Sequence, residues 1–109
     1  MSKHYLTQFK DFDNGDLFDK LLWALKPYGF EDTSWKNDTC PSIGKQKNEE
    51  DYIQIFVDYK DHNLSEFPEC RSEGRMKVFS VYSDMDTIEI ETDSIQEALK
   101  KVLEIKGAK

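Results

Sequence analysis

Arg75-Met76-Lys77-Val78-Phe79-Ser80-Val81-Tyr82-Ser83-Asp84-Met85-Asp86-Thr87-Ile88-Glu89-Ile90-Glu91 holds two alternating stretches joined by a short polar break. Successive side chains on a strand point to opposite faces, so the alternation predicts strands over 75–82 and 87–91. In the first, Lys77, Phe79 and Val81 share one face, opposite Met76, Val78, Ser80 and Tyr82. In the second, Ile88 and Ile90 turn inward while Thr87, Glu89 and Glu91 turn outward. Ser83 to Asp86 is a compact hairpin connection, which makes the pair antiparallel.

The strand pattern continues upstream. Ile53, Ile55, Val57 and Tyr59 alternate with Gln54, Phe56 and Asp58. Phe56 on the nominally wet side marks this strand as central or partly covered. Two segments between 30 and 45 also fit short strands: Phe30 to Trp35, and a piece around Ile43 after Pro41. Lys45 to Asp51 reads as a polar turn, and Tyr5 to Phe12 as a short edge strand or an extended lead-in.

Helical spacing appears at both ends. Leu17, Phe18, Leu21, Leu22 and Leu25 follow the capping cluster Asp13-Asn14-Gly15-Asp16 and stop before Pro27 and Gly29. Ile95, Ala98, Leu99 and Val102 form a second stripe. It opens on Ser94 and Glu97 at capping-box spacing, with Asp93 and Gln96 as a rival register. The order helix, strands, helix argues against a doubly wound parallel sheet, which needs helices between successive strands. The expected fold is α+β: a two-layer antiparallel sheet of three or four strands, with the N- and C-terminal helices on one face. Residues 1–109 are expected to form a single compact domain, and 61–74 an irregular surface loop.

Composition narrows the function classes. At 38% apolar and 13% aromatic, the chain is too rich for a disordered acidic tail. Its net charge of −7, from 22 acidic against 15 basic side chains, repels phosphate backbones. Lys45, Lys47, Arg71, Arg75 and Lys77 are opposed by Glu49, Glu50 and Asp51, so direct nucleic-acid binding is not expected. No apolar run approaches the roughly 18 to 20 residues that cross a bilayer. Cys40 and Cys70 form neither a zinc spacing nor a CxxC pair, and are expected as free thiols in the cytoplasm.

Candidate functional residues fall in two places. The loop Trp35-Lys36-Asn37-Asp38-Thr39-Cys40-Pro41-Ser42 offers Trp35 as an aromatic anchor with Asn37 and Asp38 as its polar rim. Cys40, Pro41 and Ser42 form its structural exit. The acidic run from Asp84 to Glu97 has no intervening basic residue, and Asp86, Glu89 and Glu91 are its binding candidates. Carboxylates spaced along a surface can imitate phosphates and capture a basic groove.

The expected activity is therefore that of a small acidic macromolecule-binding protein, in one form an inhibitor presenting a phosphate-mimicking surface. Its partner would be a protein, in that form a basic nucleic-acid-binding one. A small enzyme using Cys40 or paired carboxylates is one alternative. A structural or self-associating domain, dimerising through a sheet edge, is the other. No cofactor and no metal site are expected: Asp84, Asp86, Asp58 and Asp61 lack calcium-loop spacing.

Overall fold

A computed structural model of the chain describes residues 3–48, 51–84 and 86–109. Glu49, Glu50 and Met85 lie outside the described residues, and with them parts of the expected turn and hairpin connection. The elements run α1 (His4–Gln8), α2 (Gly15–Leu25), β1 (Glu31–Asp32), β2 (Ser42–Gln46), β3 (Tyr52–Val57), α3 (Pro68–Ser72), β4 (Phe79–Tyr82), β5 (Ile88–Thr92) and α4 (Ile95–Glu104). The strands form one antiparallel sheet in the order β1-β2-β3-β4-β5.

The α+β class stands, but the sheet has five strands rather than three or four. Both ambiguous segments pair: Ile43 lies opposite Asp32 on one side and Ile55 on the other. At two residues, β1 is too short to show an alternation, so only its partner defines it. Gly44, beneath β1's exit, leaves room for Thr33. A Cβ there would lie 3.1 Å from Thr33 Oγ1.

One apolar cluster holds the fold together. Ile43, Ile53, Ile55, Val57, Phe79 and Val81 from alternate sheet positions join Phe18, Leu21 and Leu25 of α2 and Ala98 and Val102 of α4, all fully buried. Helix α2 ends in a 3-10 turn, Lys26–Tyr28, and Gly29 takes the left-handed exit at φ 91°. Helix α4 begins with Ser94 Oγ accepting from Glu97 N. The Glu97 carboxylate accepts from Thr92 Oγ1 at 2.7 Å, and that same Oγ1 accepts from Ser94 N. A threonine hydroxyl is thus inserted into the expected reciprocal capping pair. Among the described residues, no helix is long and apolar enough to cross a membrane.

Three local expectations change. Residues 5–12 begin as helix α1, because Asp32 Oδ2 accepts from Tyr5 N at 2.9 Å. That cap comes from 27 positions downstream, beyond any local pattern. The segment 61–74 is ordered into a 3-10 turn, His62–Leu64, and helix α3. Finally, Asp13 does not cap α2. Its two oxygens accept from Lys60 N and Asp61 N, while Asn14 Nδ2 donates to Asp58 O.

Candidate functional site

Strand alternation that buries Ile55 and Val81 against the helices turns their neighbours the other way. Two cross-strand rows line the opposite face. One runs Ser42, Phe56, Ser80, Glu91; the other runs Gly44, Gln54, Tyr82, Ile88. Phe56 and Tyr82 meet edge to face, with ring centroids 5.7 Å apart and planes at 81°. Ser80, small and half-buried, sits between Phe56 and Glu91 in its row and leaves a notch. Gln54 Nε2 donates to Ser42 Oγ, which also contacts Thr33 Oγ1 at 2.9 Å, so that end of the row is closed by hydroxyls.

The notch opens into a cleft of about 290 Å³ walled by Asn37, Asp38, Thr39 and Cys40 on one side and by Met76, Lys77 and Val78 on another. Helix α1 holds the first wall in place. Its Gln8 Oε1 accepts from Lys36 N, and His4 Nε2 lies 2.8 Å from Ser34 O. Asp38 N closes a turn back to Trp35 O, leaving the Trp35 ring 55% exposed. Burial pushes the Asp38 carboxyl above its ordinary range. Burial, followed by the nearby Glu91 charge, raises the Tyr82 hydroxyl. Among the described residues, neither Asp38 nor Glu91 has a cation within ion-pair distance. Lys77, at the cleft margin, pairs with Asp93 at 3.8 Å.

Behind the cleft lies an ionic staple. Arg71 Nη1 of α3 is 3.0 Å from Asp58 Oδ2, with side chains only 7% and 10% exposed. The contact is a close charge pair without hydrogen-bond alignment. Asp58 also accepts from Tyr59 N and Ser65 Oγ, so the carboxylate fastens the 59–71 segment to the end of β3.

The acidic run divides by role. Asp84 accepts from Asp86 N, Thr87 N and Thr87 Oγ1, which holds its carboxyl below the ordinary range. Asp93 accepts from Val78 N, and Glu97 caps through Thr92. A β-bulge shifts the β4–β5 register between Val81 and Tyr82, pairing Ile90 with Val81 but Ile88 with Tyr82. One extra residue reverses the facing beyond it. Ile88 is consequently exposed rather than inward. Glu89 and Glu91 also separate: Glu91 lines the cleft, whereas Glu89 lines a depression with Lys47, Lys101, Glu104 and Lys106. Asp86 is exposed in the connection before β5.

The exit of the loop, Cys40, Pro41 and Ser42, is buried. Cys40 is 4% exposed, and burial, reinforced by the Asp58 charge, pushes its thiol up to about 12. It is protonated near neutral pH, the wrong state for a nucleophile. Pro41 O accepts from Val57 N, and Ser42 is fully buried in β2. Both cysteines are free thiols. Among the described residues, no group of three or more His, Cys, Asp or Glu is placed to hold a metal ion.

Phe56, Ser80 and Tyr82 lie outside the site residues expected from the sequence, though the alternation that puts Phe56 on the wet side is a signal for them. Trp23, 80% exposed on α2, is likewise outside those expectations, although helical spacing places it off the Leu21–Leu25 stripe. No protein-family model, curated protein or solved structure matches this chain.

Proposed function

We propose that this chain is a small cytoplasmic protein-binding module that engages its partner across the open sheet face. Trp35 anchors the contact from the flanking loop, while Asn37, Asp38 and Glu91 supply polar specificity. The observation that carries the reading is the Phe56–Tyr82 pair on the sheet face away from α2 and α4, beside two carboxylates that have no cation within ion-pair distance among the described residues. Exposed aromatic anchors beside half-buried polar groups are how interfaces concentrate binding energy. The free thiols suit a reducing compartment. Asp86 and Glu89 stand outside the proposed surface.

Inhibition is the narrower form of this reading: Asp38 and Glu91 would occupy a cationic groove otherwise used for phosphates. Self-association through the β5 edge has less support, because Glu89 and Glu91 are exposed along that strand and like charges facing each other oppose pairing.

A photo-crosslinking side chain placed at Asn37 tests the module in a lysate of its source cells. The expected result is one predominant protein adduct that Trp35→Ala abolishes and excess unlabelled protein competes away. An adduct pattern identical to that from a crosslinker at Lys109 refutes the proposed surface.

A further inference from the structure

The cleft itself specifies the chemistry of what enters it. We propose that the notch over Ser80 receives the guanidinium of an arginine carried by an extended basic segment of the partner. This rests on the protein-binding reading above and adds the identity of the group recognised.

Charge complementarity gives the sign. Asp38 and Glu91 line the cleft from a loop and from β5, and neither has a cation of its own among the described residues. The third carboxylate, Asp58, is already matched by Arg71, and Lys77 by Asp93, so the two uncompensated groups set the local balance. The positive charge of an incoming cation would favour the ionised Asp38 carboxyl, against the burial that raises it.

Size and shape select the cation. At about 290 Å³ the cleft lies at the bottom of the roughly 300–1,000 Å³ range of small-molecule sites, which suits one long side chain better than a cofactor. Phe56 and Tyr82 provide aromatic surface over which a cation is attracted by the ring quadrupole. A guanidinium is planar, stacks on rings, sheds water more readily than an ammonium and donates to two carboxylates at once. Lysine meets the charge and ring-attraction requirements but lacks the planar fork that spans two carboxylates.

The test uses the purified 109-residue chain and three nine-residue peptides of glycine and serine. They carry arginine, lysine or neutral citrulline at three alternating positions. Calorimetry at low salt should give the arginine peptide at least threefold tighter binding than the lysine peptide, with no measurable binding of citrulline. Amide resonances of Asp38, Ser80 and Glu91 should shift on titration. Glu91→Gln and Asp38→Asn should each weaken arginine binding at least fivefold, while Glu89→Gln leaves it within twofold. Equal affinity for lysine or citrulline, or an equal loss from Glu89→Gln, overturns the assignment. An Asn37 crosslink that survives both Glu91→Gln and Asp38→Asn also overturns it while leaving the module reading intact. Loss of the crosslink in Trp35→Ala alone points the same way.

Discussion

The two faces of the sheet are built from the same strands and could hardly differ more in what they ask of their side chains. Toward the helices, Ile43, Ile53, Ile55, Val57, Phe79 and Val81 are sealed from water with α2 and α4. On the other face, Ser42, Gln54, Ser80 and Glu91 surround the aromatic pair, and the row through Phe56 ends in a hydroxyl at Ser42 and a carboxylate at Glu91. Burial on the first side supplies stability in proportion to apolar area removed from water. The second side adds little of that and keeps polar groups within reach of a visitor. The sealed core and the open polar face are thus separated by a single step along the central strands.

That division can be broken most sharply where charge is buried. Arg71→Ala leaves the Asp58 carboxylate without its counter-charge, and removing one partner of a buried pair costs about 3–5 kcal/mol. Urea melts should show a loss of that order. A loss under about 1 kcal/mol would mean that water reaches the carboxylate and the staple is dispensable.

Neighbouring positions on β3 sharpen the contrast. Ile55→Ala empties a fully buried site and should lower stability by about 2–5 kcal/mol. Phe56→Ala, one residue along on the open face, should lower it by about 1 kcal/mol while abolishing arginine-peptide binding. Equal losses in chemical denaturation would show that the two faces are energetically alike.

The smallest effect is alkaline. The Cys40 thiol is held near 12 in the folded chain against an ordinary value of 9.0. Its folded value is the higher one, so its stabilising contribution is complete below about pH 9 and declines as pH rises toward 12. Between pH 8 and 10.5 wild-type stability should fall more steeply than that of Cys40→Ala. Parallel slopes would place the thiol in contact with solvent.

How much of this could be read from the residues depends on how far away the causes lie. The alternation through Ile53, Ile55 and Val57, the α4 stripe and the exit at Gly29 depend on neighbours a few positions off, and each appears where expected. The strand nevertheless stops at Val57, and the expected alternation through Asp58 and Tyr59 is lost. Helix α1 depends on Asp32, and the role of Asp13 depends on Lys60 and Asp61, partners 27 and 47–48 residues away. A periodicity argument cannot find such partners. The β5 bulge is subtler. Thr87 to Glu91 alternates without a flaw, yet one skipped pairing at Tyr82 exposes Ile88 and parts Glu89 from Glu91. Of the candidate site, Trp35, Asn37, Asp38 and Glu91 were visible as residue types. The aromatic floor beneath them required the register.

Helix α1 has a consequence beyond its five residues. Through His4 and Gln8 it ties down Ser34 and Lys36, the two residues flanking Trp35. A proteolytic nick in the 9–14 linker would slacken that leash and let the indole swing while the strands stay paired. Faster hydrogen exchange at the Lys36 amide, with Ile55 unchanged, would be its signature.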